Sequence, residues 1–123
     1  MKIKPEILRV YAVTDRSWTG KYTLLEQVEQ ALKGGATCIQ FRDKTLDKAF
    51  LEEAKKMKAL CQQYQVPLII NDHVEIAVLC GADGVHVGQK DMKASAVREI
   101  VGEDMIIGVS ARTVEQAVEA EQA

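Results

Sequence analysis

At 123 residues, with 47% hydrophobic and 28% charged residues, the chain has the length and apolar content of one ordinary domain with a buried core. Its 16 basic and 18 acidic residues are intermixed for a formal charge of -2, which leaves no basic face for nucleic acid and no basic amphipathic helix for a membrane surface. Small molecules or protein are the expected partners, and the lack of a membrane-length apolar run or a signal-like start predicts a cytoplasmic protein.

Leu8 to Asp15 reads as a first strand and the RSWTGKY that follows as a loop. Thr23 and Glu26 have capping-box spacing, Leu25, Val28 and Leu32 recur on one helical face, and Gly34-Gly35 supplies a left-handed stop. Cys38 to Lys44 is the second strand. Phe50, Ala54, Met57, Cys61 and Tyr64, at steps of four and three, form the buried stripe of a helix that ends before Pro67. Leu68 to Asn71 is a third strand, followed by a short helix from Val74 to Cys80. Gly84 to Val87 is a fourth, followed by a helix with Val97, Ile100 and Val101 that stops at Gly102. Met105 to Ser110 is a fifth, and Thr113 with Gln116 repeats the capping-box spacing. Cys38, Cys61 and Cys80 lack metal-type spacing and lie in apolar patterns, as reduced buried thiols do.

Five strand-helix units in strict alternation, with short apolar strands, predict a parallel α/β sheet of the (βα)8 TIM-barrel type, of which this chain holds about five units. The alternation within strands supports it. Gln40, Arg42 and Lys44 share one face of the second strand while Ile39 and Phe41 share the other; His86 opposes Val85 and Val87, and Asn71 opposes Ile70. A complete barrel needs at least roughly 200 residues. The expectation is therefore a single domain over residues 1–123 that is the amino-terminal part of a larger protein.

The polar residues gather at the strand carboxyl ends, where such barrels place their sites. Asp72 and Asp91 read either as helix caps or, as a pair, as ligands of a hard divalent cation, since Mg²⁺ needs only one or two carboxylates when phosphate completes its shell. Arg42 suits a forked contact to phosphate and Lys44 a point charge, so together they suit a diphosphate. Ser110 reads as a cap or a phosphate donor, and His86 as a core or site histidine. A phosphate-handling isomerase remains an alternative and would need a general base, for which His73 and His86 are the candidates.

YAVTD in the first strand, GGATCIQFRDK in the second unit, NDHVEIA in the third, GADGVHVGQKD in the fourth and GVSAR in the fifth resemble thiamine-phosphate synthase. The resemblance spans nearly the whole chain in order. The related thiazole tautomerase group lacks the QFR-acid-K and Asn-Asp features. The resemblance implies an enzyme that joins hydroxymethylpyrimidine diphosphate to thiazole phosphate, giving thiamine phosphate and pyrophosphate with Mg²⁺. It further implies that Gln40, Phe41, Arg42, Asp43 and Lys44 line the pyrimidine diphosphate pocket, with Arg42 and Lys44 stabilising the leaving diphosphate. Asn71 and Ser110 would contact the same substrate, Asp72 and Asp91 would bind Mg²⁺, and His86 would lie near the pyrimidine. The departures are His73 where the family often has a second acid, and Asp43 where it commonly has Glu. The family's thiazole phosphate site and a further diphosphate lysine belong to later strands. The expectation for this chain alone is self-association or loose folding without synthase activity, and the competing readings are a non-catalytic phosphate-binding or assembly fragment and a related thiazole tautomerase-like barrel.

Overall fold

The computed structural model describes residues 3–44 and 49–123. Among them, strands and α-helices alternate as β1 (Tyr11–Val13), α1 (Leu24–Lys33), β2 (Cys38–Phe41), α2 (Phe50–Gln63), β3 (Leu68–Asn71), α3 (Val74–Leu79), β4 (Gly84–Val87), α4 (Ala94–Val101), β5 (Ile106–Val109) and α5 (Val114–Gln122). All neighbouring strands pair in parallel and in chain order. Each crossover therefore moves the chain one strand along, as a barrel wall is laid down.

The helices begin where local chemistry says they should. Thr23 and Glu26 form a full capping box on α1, satisfying two N–H groups that the first turn leaves open. At α5 the box is split: Thr113 accepts from the Gln116 N–H, but the Gln116 side chain accepts from Arg112 instead of Thr113. Gly35, at φ 105°, supplies the left-handed exit from α1.

The predicted strands hold, with shorter ends. β3 and β4 have the predicted limits, whereas β1 starts three residues later than expected. Pro5 fixes the first turn of a 3-10 helix over Pro5–Leu8, and the Thr37 hydroxyl then accepts from the Val10 N–H at 2.9 Å, so residues 8–10 are committed before the strand begins. On α1 the buried positions are Leu24, Val28 and Leu32, with Leu25 only half-buried, and on α4 Ile100 lies outside the core.

Between sheet and helices lies the main core. Ile39, Phe41, Leu68, Ile70, Val85 and Val87 project from the strands onto Phe50, Ala54, Met57 and Cys61 of α2 and Val97 of α4. Phe41 stacks on Phe50 with ring centroids 4.8 Å apart, and His73 meets Phe50 edge-on at 5.0 Å. Burying each phenyl ring contributes about 1.5–3 kcal/mol and their stacking about 0.5–1.5 kcal/mol more. The three cysteines are buried and free. At the strand amino ends, Asp83 Oδ2 accepts from the Leu68 N–H (2.9 Å) and from Lys58 Nζ (3.0 Å), tying α2 to β3 and β4.

The opposite face is concave. Tyr11, Gln40, Ile69, Asn71 and His86 line a cavity of about 530 Å³ along it. Register explains the order of these side chains: Gln40 pairs with Ile69, Asn71 with His86, and His86 with Gly108, so each face carries every second residue. No helix among the described residues is long and apolar enough to cross a membrane.

Candidate functional site

The carboxyl ends of the strands are held together by side chains before any ligand is considered. Thr14, just beyond β1, accepts from the Arg42 N–H at 2.9 Å and donates to the Arg42 carbonyl at 3.0 Å, extending the β1–β2 pairing by one hydroxyl. Both main-chain groups of Arg42 are thereby fixed. Its guanidinium makes no hydrogen bond or ion pair with another described residue, and neither does the Lys44 ammonium. Arg42 and Lys44 share a cavity of about 240 Å³ with Asp15, Arg16, Ser17 and Asp43. Arg16 was not singled out from sequence, yet it binds Asp43 Oδ2 through both Nε (2.9 Å) and Nη2 (2.8 Å) and reaches Glu53 of α2 as well.

At the end of β3 the backbone is strained. Asp72 sits at φ 67°, and the His73 N–H donates across it to the Asn71 carbonyl at 2.8 Å, which makes Asp72 the centre of a γ-turn. The Asp72 N–H donates to the His86 carbonyl at 2.7 Å, so the turn is anchored to β4. Its carboxylate has no partner among the described residues, and the helix that follows is entered at His73 without a side-chain cap. A residue held in an unfavourable conformation with a carboxylate unpartnered among the described residues is a candidate site residue.

Asp91 lies beyond the next strand. Its Oδ2 accepts from the Gly88 N–H at 2.7 Å, closing the loop after β4, while α4 is entered at Lys93. Neither aspartate caps its helix. Both stand at the carboxyl side of adjacent strands and offer hard oxygen donors of the kind a divalent cation takes. Among the described residues no group of three or more His, Cys, Asp or Glu could hold a metal ion; two carboxylates suffice for Mg²⁺ only where water and ligand oxygens complete its shell.

His86 and Ser110 complete the rim. His86 Nε2 and Ser110 Oγ are 2.8 Å apart, and burial lowers the imidazole below its ordinary value against a smaller upward pull from Asp91. The ring lies across Gly108, where a Cβ would fall 2.5 Å from Nδ1. Deeper on the same face, Gln40 Nε2 donates to Tyr11 Oη at 3.0 Å, which sets the orientation of a nearly buried amide. The geometry thus brings Gln40, Arg42, Asn71, His86 and Ser110 to one cavity. Phe41 stands apart, with its ring in the core on Phe50, so that only its backbone faces the site. Asp43 faces the smaller cavity but is engaged by Arg16. Thr14, Arg16, Tyr11 and Gly108 escaped the sequence reading because their partners lie 22 to 29 residues or more away in the chain.

Five parallel βα units define a barrel-type α/β protein, and the cations, carboxylates and amides collected at the strand carboxyl ends form its candidate site. The chain belongs to the thiamine monophosphate synthase family, whose pattern matches residues 10–123. It is 50% identical over 114 residues to the thiamine-phosphate synthase of Ruminiclostridium cellulolyticum, covering 92% of this chain and 54% of the relative. A probable thiamine biosynthetic bifunctional enzyme of rice, Oryza sativa subsp. japonica, is 49% identical over 120 residues, covering 95% of this chain and 22% of the relative. Among solved structures, thiamine phosphate pyrophosphorylase from Pyrococcus furiosus superposes with a TM-score of 0.86 at 36% identity, covering 94% of this chain and 56% of that one. The chain spans about half the length of the bacterial relative, and its five units correspond to part of a TIM-type barrel.

Proposed function

We propose that this chain carries the pyrimidine diphosphate side of a thiamine-phosphate synthase, which joins hydroxymethylpyrimidine diphosphate to thiazole phosphate and releases pyrophosphate. The observation that carries the reading is that the Arg42 guanidinium and Lys44 ammonium at the carboxyl end of β2, and the Asp72 carboxylate on the same rim, have no partner among the described residues. Cations without partners among the described residues at a strand end suit an anion, and a forked guanidinium beside an ammonium suits two phosphoryl groups. Asp72 and Asp91 would hold Mg²⁺, which when bound would offset the charge that gathers on the departing pyrophosphate.

The remaining side chains have roles that follow from what they present. Gln40, fixed by Tyr11, and His86, fixed by Ser110, would seat the aminopyrimidine ring on the concave face. Asn71 and the Ser110 hydroxyl would donate to the diphosphate. As the carbon–oxygen bond to pyrophosphate breaks, Arg42 and Lys44 would meet the growing negative charge, and the electron-rich ring would bear the positive charge until the thiazole nitrogen attacks. No protein nucleophile takes part, so catalysis rests on orientation and on exclusion of water. None of these residues is assigned to the thiazole phosphate. The open edges of β1 and β5 support self-association of the 123-residue chain, which sedimentation would test.

The test is a calorimetric titration of the chain with inorganic pyrophosphate, with and without Mg²⁺. Binding that strengthens with Mg²⁺, weakens about tenfold in Arg42→Ala and loses its Mg²⁺ dependence in Asp72→Asn is expected. Binding indifferent to both substitutions would remove the reading.

A further inference from the structure

We propose that Arg16 is a positioning residue that sequesters the Asp43 carboxylate, so that Arg42 and Lys44 remain open to an anionic ligand; this rests on the diphosphate reading above. Asp43 stands between the two cations in sequence and lines the same cavity of about 240 Å³. A carboxylate so placed is the natural competitor for any phosphate, because in a partly closed cleft it can pair with either cation. Yet neither cation is paired with it. The Asp43 carboxylate instead takes both forked donors of Arg16 on Oδ2, at 2.9 and 2.8 Å, with only 7% of its side chain exposed.

The arrangement makes Arg16 more than one further positive charge. Arg16 enters from the 3-10 turn over Arg16–Trp18 after β1, and that turn is itself held by the Asp15 side chain accepting from the Ser17 N–H. Its Nη2 also reaches Glu53, in the first turn of α2, where an acidic side chain is favoured, so the nitrogen that holds Asp43 is tied to α2 as well. Glu53 does not line the cavity. Of the two carboxylates that line the cavity, Asp15 accepts from the Ser17 N–H and hydroxyl, so removing Arg16 takes the fork from Asp43 and lets that carboxylate compete for Arg42 and Lys44.

The inference predicts a specific epistasis. In titrations of the chain with inorganic pyrophosphate at fixed Mg²⁺, Arg16→Ala should weaken binding about tenfold. Adding Asp43→Asn should restore most of that loss, since the competing charge is gone while Arg42 and Lys44 are untouched. Arg16→Lys, with a single ammonium in place of the fork, should fall between and also be restored by Asp43→Asn; it carries the same test if Arg16→Ala does not fold. Unaltered affinity in the Arg16 variants, or double variants as weak as the single ones, would overturn the inference and leave the diphosphate reading standing. No pyrophosphate binding by the unaltered chain would overturn both.

Discussion

The His86 imidazole lies across the backbone of Gly108, with Nδ1 occupying the space that a Cβ at position 108 would need. The two residues are register partners on β4 and β5, so the fit is a property of the sheet itself. Because the Gly108 backbone cannot withdraw without breaking the ladder, Gly108→Ala should turn the ring aside and separate it from Ser110. A loss of about 1–3 kcal/mol in urea denaturation is expected, with the imidazole titrating closer to its ordinary value once it reaches water.

The same imidazole makes stability depend on pH. Burial lowers its value in the folded chain, so on acidification the unfolded state takes up the proton first. Stability from this group is complete above its ordinary value of 6.5 and falls as pH drops toward the lowered one. Unfolding midpoints should therefore decline below about pH 6.5 in the native chain and decline less in His86→Gln. Equal slopes would show that the ring is solvated.

Asp83 offers a way to weigh a charge against a hydrogen bond. Its carboxylate serves both the buried Leu68 N–H and the partly exposed Lys58. Asp83→Ala strands the N–H and should cost about 1–3 kcal/mol, whereas Lys58→Met keeps that bond and should cost no more than about 1 kcal/mol. Comparable losses in the two variants would show that the ion pair dominates.

The cysteines give an alkaline counterpart. Burial, with a smaller push from Asp83, raises the Cys38 thiol to about 11 and the Cys61 thiol to about 12. Unfolded thiols ionise from about pH 9 while the folded ones stay neutral, so their contribution is complete below that pH and is lost as pH rises. Alkylation by iodoacetamide at neutral pH should accordingly track global unfolding; rapid labelling of the folded chain would contradict this.

How far the sequence could be read follows from how local each feature is. β3 and β4 are legible because Leu68 to Ile70 and Val85 to Val87 are short apolar or alternating runs bounded by Pro67 and glycines. β1 was read too long because Leu8 and Val10 are as apolar as a strand, and only the distant Thr37 hydroxyl reveals that Val10 is already bonded elsewhere. The rim residues Arg42, Asn71 and His86 were legible through alternation alone. The pairs Arg16 with Asp43 and His86 with Ser110 were not, since they join residues 27 and 24 positions apart and depend on register between strands.

The γ-turn at Asp72 has a thermodynamic corollary. Glycine adopts a positive φ without the Cβ clash that aspartate bears there, although it loses more chain entropy on folding. The steric relief is the larger effect at such a position, so Asp72→Gly should raise the unfolding midpoint while deleting the carboxylate. Under the proposed role of its carboxylate, aspartate at this turn represents an exchange of durability for chemistry, and a chain made sturdier at residue 72 is one made poorer at its rim.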